Sequence, residues 1–206
     1  MAAKIYKNYF DVVILPQKEV QDYAISLSKQ LYKYGSKWAL GKKSFLPHLT
    51  LYHIPVKPKN FDDFVAELEI AVKDFRTGDL KTDGIRLYKS LRAVSLMTDK
   101  PDWLKKLYLR VIKKTLKYFD WNYGVEKLWR EKSSKAIANI KKYGTPLVGR
   151  YFMPHITLAV FKNDKDMIKG SNKLKLKEYK IKVKSIFICE LGESHSCQRI
   201  VKQIYF

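Results

Sequence analysis

A seven-residue frame occurs twice in this 206-residue chain, and it constrains the fold more than any other feature. Phe45-Leu46-Pro47-His48-Leu49-Thr50-Leu51 returns as Phe152-Met153-Pro154-His155-Ile156-Thr157-Leu158, with five of seven positions identical and two exchanged between apolar residues. The copies stand 107 positions apart and hold two of the four histidines in the chain. In an extended strand, side chains at i and i+2 share a face. His48 and Thr50 therefore point one way and Leu49 and Leu51 the other, and His155 and Thr157 do the same against Ile156 and Leu158. Pro47 and Pro154 lack an N–H, so each suits the first position or the edge of a strand. That sets each histidine near a strand's start, open to a cleft. Repetition at this spacing predicts a duplicated unit, two lobes whose polar strand faces line one groove.

The rest of the chain alternates helical and extended patterns. Ile5 to Leu15 reads as a strand, followed by a helix with Val20, Tyr23, Ala24, Leu27 and Leu31 inward and Gly35 at its end. The first motif strand is expected over 45–54. A helix capped by Asn60 then buries Phe61, Phe64, Val65, Leu68, Val72 and Phe75. Strands are expected near 84–89 and 92–97. After Pro101 a helix buries Leu104, Leu107, Tyr108, Val111, Ile112, Thr115 and Leu116 beneath a lysine-rich outer face. A further helical stretch over 125–143 would turn Leu128, Trp129, Ile137 and Ile140 inward. The second motif strand spans 150–161, then a short helix near 164–169 and strands near 174–183, 185–191 and 200–206. This order predicts an α+β fold.

Composition narrows the class. The chain is 46% hydrophobic and 14% aromatic, as a globular protein is. No run of about 18 apolar residues can span a membrane, and residues 1–16 lack the apolar block of a signal peptide. Cys189 and Cys197 form neither a disulfide framework nor a zinc spacing, which suits reduced thiols in a cytoplasmic protein. Lys and Arg number 41 against 20 Asp and Glu, a net charge of +21. Residues 1–100 carry +6 of it and residues 101–206 carry +15. A field of this sign favours polyanions. A lysine-rich coding background raises the total without explaining the tilt.

Two imidazoles and two hydroxyls are the groups needed to hold a phosphodiester and move protons on both sides of it. A neutral histidine takes a proton from water or a sugar hydroxyl while a protonated one supplies the leaving oxygen. Threonine hydroxyls donate to non-bridging oxygens. This chemistry requires no metal. His53, five residues beyond His48, reads onto the opposite strand face and is a poor partner for a shared metal site. His195 and Cys197 lack an orienting third group and read as a turn. Tyr151, Phe152 and Tyr52 flank the motifs and are candidates for stacking a base, with core packing the competing role. Trp38 beside Lys42, Lys43 and Ser44 is a candidate nucleotide contact, and Arg150 a candidate phosphate fork.

The two Pro-His-x-Thr-Leu segments, Pro47-His48-Leu49-Thr50-Leu51 and Pro154-His155-Ile156-Thr157-Leu158, resemble the paired motifs of the 2H phosphoesterases. That family is named for two His-x-Thr/Ser motifs and includes 2′-5′ RNA ligase-like proteins. The resemblance implies a two-lobed α+β fold with antiparallel sheets lining a central cleft and helices outside. Residues 1–206 would be one such domain, with lobe 1 at about 1–100 and lobe 2 at about 101–206. It implies cofactor-free, metal-independent chemistry, His48 and His155 being the acid/base pair and Thr50 and Thr157 the phosphate ligands. The segment Glu190–Cys197 is similar to a Leu-Gly-Glu-His-Gly turn of some members, with Ser-His-Ser in place of His-Gly, and no catalytic role is expected of it. The basic stretch 121–149 exceeds what compact members need. The expectation is a monomeric phosphodiesterase acting on RNA or oligonucleotide 2′,3′-cyclic phosphates or 2′-5′ linkages. The alternatives are a hydrolase of a small cyclic nucleotide or ADP-ribose-type cyclic phosphate, and a non-catalytic RNA-binding module. A pseudo-twofold leaves open which histidine is acid and which is base.

Overall fold

The computed structural model describes residues 5–125, 129 and 133–206. Along the chain run β1 (Ile5–Ile14), α1 (Lys18–Tyr32), β2 (Leu49–Pro55), α2 (Phe61–Val72), β3 (Asp79–Tyr88), β4 (Ala93–Thr98), α3 (Asp102–Thr115), α4 (Ser134–Tyr143), β5 (His155–Val160), α5 (Asp164–Ser171), β6 (Lys180–Lys182), β7 (Ser185–Gly192) and β8 (Ser196–Tyr205). The strands form two antiparallel four-stranded sheets, ordered β2-β1-β7-β8 and β5-β4-β3-β6. The α+β class and the paired sheets are as expected.

Each sheet repeats one arrangement. The motif strand takes an edge, and beside it lies the strand that precedes it in the chain, β1 next to β2 and β4 next to β5. The third place goes to β7 against β1 and to β3 against β4, so that the first sheet takes β7 and β8 from residues 101–206 and the second takes both β4 and β3 from residues 1–100. The halves thus exchange strands, and a boundary near residue 100 does not separate the sheets. Residues 79–98 belong with the second motif and residues 185–205 with the first. Apolar periodicity reports which face of a strand is buried and is silent on its neighbour, so the exchange leaves no mark in the pattern.

Helices cross over in the same sense. α1 packs against β5 and α3 against β2, so each covers the motif strand of the opposite half. α1 buries Val20, Ala24, Leu27 and Leu31 at helical spacing, and α3 buries Leu104, Leu107, Tyr108, Val111 and Ile112. Each fully buried leucine contributes roughly 1.5–3 kcal/mol relative to exposure, which holds these lysine-faced helices on the core. Among the described residues, no helix is long and apolar enough to cross a membrane.

Boundaries shift for local reasons. The first motif strand begins at Leu49 rather than 45, because Phe45 sits at φ 51° and Pro47 has no N–H for the ladder. The 174–183 stretch pairs only over Lys180–Lys182, and β8 starts at Ser196 rather than 200. Asn60 holds the N-cap position of α2 as expected, but its side chain makes no cap hydrogen bond, and it also closes a 3₁₀ turn, Pro58–Asn60. Of the helix expected over 125–143, α4 starts at Ser134, with the Ser133 hydroxyl accepting the Ala136 N–H. Leu128 lies outside the described residues. Ile137 is 40% exposed rather than inward, and Ala136, Asn139 and Ile140 face the core.

Candidate active site

Both motif strands carry the same irregularity. The β1–β2 register runs from Val12↔Tyr52 to Val13↔Thr50 and leaves Leu51 unpaired. The β4–β5 register runs from Val94↔Ala159 to Ser95↔Thr157 and leaves Leu158 unpaired. One extra residue at a bulge reverses the alternation beyond it. His53 therefore joins the face of Thr50, against the expectation from its odd offset. Tyr52 lines the base of the cleft but is 1% exposed, with its hydroxyl donating to the Tyr143 carbonyl at 2.7 Å, so core packing takes most of its ring. In the second copy, the Leu158 carbonyl accepts the Ser28 hydroxyl of α1 at 2.6 Å. Ser28 Oγ also accepts the Leu40 N–H at 2.8 Å. One buried serine thus ties the second motif strand to the segment that leads into the first.

The two motif histidines are held alike. His48 Nδ1 lies 2.7 Å from the Leu46 carbonyl and His155 Nδ1 lies 2.6 Å from the Met153 carbonyl. A carbonyl only accepts, so Nδ1 carries the proton in both rings and Nε2 is left as the exchanging atom. The intervening residue is proline each time, whose fixed φ holds the carbonyl two residues back within reach of the ring.

Thr50 and His53 from the first copy and Met153 and His155 from the second line one cleft, with Phe152 and Thr145 beside them. Burial holds the His155 imidazole below the usual histidine range. The Met153 carbonyl opposes that shift in part, and the charges of His48 and His53 add to it. The Tyr88 ring, on β3, stands 5.7 Å from the His155 ring, and its burial raises the phenol pKa.

The pseudo-symmetry breaks at Asp11. This β1 carboxylate is fully buried, and its Oδ2 accepts the Thr50 hydroxyl at 2.9 Å. The same oxygen lies 3.4 Å from His48 Nε2 and 3.3 Å from His53 Nε2, while Oδ1 has no hydrogen-bond partner among the described residues. Neither imidazole is aligned to hydrogen-bond it, and each carries charge against the carboxylate only when protonated. Where the first sheet pairs Asp11 with His53, the second pairs Ala93 with Val160. Only the first copy therefore has the carboxylate and the extra histidine. No hydrogen bond among the described residues engages the Thr157 hydroxyl. Asp11 escaped the sequence reading, although a lone carboxylate inside Phe10-Asp11-Val12-Val13-Ile14 was a usable signal, because burying a charge is costly without partners.

His195 lies in the β7–β8 turn and stacks on His53 at 5.2 Å and on Trp129 at 4.6 Å. It braces the wall behind His53. Ser194 and His195 both take positive φ, 59° and 55°. Cys197 pairs with the buried Cys189, and that contact and burial push its thiol up, which removes any dyad with His195. Although His48 and His53 converge on Asp11, among the described residues no three His, Cys, Asp or Glu side chains are arranged to hold a metal ion.

The remaining candidates separate. Arg150 is exposed in the turn Gly149–Tyr151, donates to the Tyr151 hydroxyl at 3.0 Å and lines a second groove beside the cleft. Trp38 stacks on Phe45 at 5.2 Å and lines neither cleft.

No protein-family model matches the sequence, and no curated protein matches it. Solved structures do share its fold. TT0787 of Thermus thermophilus superposes with a TM-score of 0.57 at 15% identity, over 96% of this chain and 97% of that one. Escherichia coli LigT in apo form gives 0.56 at 14%, over 99% and 98%. A structure described as a phosphoesterase gives 0.51 at 14%, over 100% and 99%. LigT complexed with ATP gives 0.50 at 14%, over 97% and 98%.

Proposed function

We propose that this chain is a phosphodiesterase of the 2H type, acting on 2′,3′-cyclic phosphates or 2′-5′ linkages of RNA or oligonucleotides. One observation carries the reading. The two motif imidazoles lie near enough for the charge of His48 to bear on His155, each with Nδ1 tied to the carbonyl two residues back and Nε2 left to exchange a proton. His155 lines the cleft with Thr50 and His53, while His48 stands behind them against Asp11. The shared fold with a phosphoesterase, and with LigT crystallised with ATP, supports a nucleotide phosphate as the group that sits between them.

The unequal surroundings divide the roles. His155, kept neutral by burial, is the base. It takes the proton of a water or ribose hydroxyl as that oxygen bonds to phosphorus. His48, with the Asp11 carboxylate 3.4 Å away to balance its charge, is the acid. It protonates the leaving oxygen as its bond to phosphorus breaks. The Thr157 hydroxyl donates to a non-bridging oxygen where charge grows. Thr50 adds a second such donor once its hydroxyl turns from Asp11. Incubation with defined 2′-5′, 3′-5′ and 2′,3′-cyclic substrates, followed by product analysis, tests the reading. Turnover of none of them overturns it.

A further inference from the structure

A second, more open groove adjoins the cleft, lined by Arg86, Lys100 and Arg150 with Met153 and Pro154 between them. Met153 lines both spaces, so they adjoin across its side chain. Strand register locates Arg86. It pairs with Ser95, which pairs with Thr157, and cross-strand partners share a face. Arg86, Ser95 and Thr157 therefore form one polar file on the motif face. Arg86 stands two strand spacings, about 9.5 Å, from the Thr157 backbone.

The three cations are positioned without being neutralised. Arg86 lies 5.3 Å from the Tyr88 ring and contacts Met153 Sδ at 3.2 Å. Lys100 Nζ donates to the Phe152 carbonyl at 2.5 Å, and Arg150 is steadied by Tyr151. Elsewhere basic side chains find carboxylates, as Lys117 does with Glu67, Lys105 with Asp102 and Arg199 with Glu190. Among the described residues none pairs with these three, and the groove's single acidic lining residue, Asp83, is exposed.

We infer that this groove is an anion subsite for the phosphodiester next to the scissile one in an RNA or oligonucleotide strand. The inference rests on the phosphodiesterase reading and specifies its substrate as a chain rather than a mononucleotide. The Arg86 guanidinium lies 5.3 Å from the Tyr88 ring, which itself stands 5.7 Å from the His155 ring, so the cation sits beside the catalytic cleft rather than in it, and guanidinium forks suit phosphate oxygens.

The test compares 2′,3′-cyclic AMP with a tetranucleotide ending in a 2′,3′-cyclic phosphate, using Arg150→Gln and the Arg86→Gln/Arg150→Gln pair. Each lost arginine contact should lower kcat/KM on the tetranucleotide about tenfold more than on cyclic AMP. The slope of log affinity against log salt should become shallower by about 0.7 per contact. Equal losses on both substrates, or none on either, overturn the subsite. Thermal melting separates these results from misfolding, and Arg150, in an exposed turn, supplies the variant that folds. Should the wild type turn over neither substrate, nor the 2′-5′ and 3′-5′ substrates, the phosphodiesterase reading fails by itself. Fluorescence anisotropy of a labelled 3′-phosphorylated tetranucleotide then judges the subsite, and equal binding by wild type and the double variant overturns it.

Discussion

Replacing Asp11 with Asn removes one charge from the cluster at nearly constant volume. Opposite unit charges 3.4 Å apart, the His48 Nε2 to Asp11 Oδ2 separation, attract by about 5 kcal/mol at an effective dielectric near 20. Loss of one partner from a buried pair costs about 3–5 kcal/mol. The carboxamide oxygen of the Asp11→Asn variant would retain the Thr50 hydroxyl, bonded at 2.9 Å in the native site, so the lower end applies. That figure is a cost in folding stability, read by chemical denaturation, and the part of it felt in the transition state sets the catalytic loss, with the full 3 kcal/mol, about a hundredfold in kcat, as its upper bound. Steady-state kinetics on a 2′,3′-cyclic substrate at fixed pH and ionic strength compares the variant with the wild type. A wild-type kcat in the Asp11→Asn variant would refute the division of roles. Thermal melting of the variant guards against mistaking a fold defect for this effect.

Further expectations follow from the same geometry. His48→Ala and His155→Ala should each lower the rate by roughly 10²–10⁴, the double variant should lose far less than their product, and activity should survive excess EDTA; a single variant with wild-type turnover on every phosphodiester tested sinks the two-histidine mechanism. His155 is held below the usual histidine range, so the acidic limb of the pH–rate profile should fall below a free imidazole's pKa of about 6.5. The unfolded chain binds the His155 proton more tightly than the folded one, so its contribution to stability is full above about pH 6.5 and is lost as pH falls towards the folded pKa; denaturant melts of wild type and His155→Gln across that window measure it. Ser28→Ala leaves the Leu158 carbonyl and the Leu40 N–H unpaired in the core, which should cost about 2–4 kcal/mol in chemical denaturation; an unchanged midpoint would mean that the serine is not the tie between the motif segments.

Much of this molecule is local in origin. The paired His-x-Thr strands, the proline before each histidine and the amphipathic stripes of α1 and α3 are short-range patterns. They place His48, Thr50, His155 and Thr157 because strand alternation and helical spacing act within a few residues. The sequence by itself therefore determined the two motif strands, the polar side chains they present on one face and the α+β class. Tertiary structure alone decided which strands lie side by side, since an edge can be completed by any strand of suitable register. That exchange sent β3 to the second motif and brought Arg86 into line with Thr157 through Ser95. It also decided the bulges, which depend on the neighbouring strand's register, and these turned His53 inward. Asp11 joined Thr50, His48 and His53 only because β1 pairs with β2. The difference between the two histidines is thus a tertiary property, for burial and the nearest charge are set by whatever the fold packs against each ring.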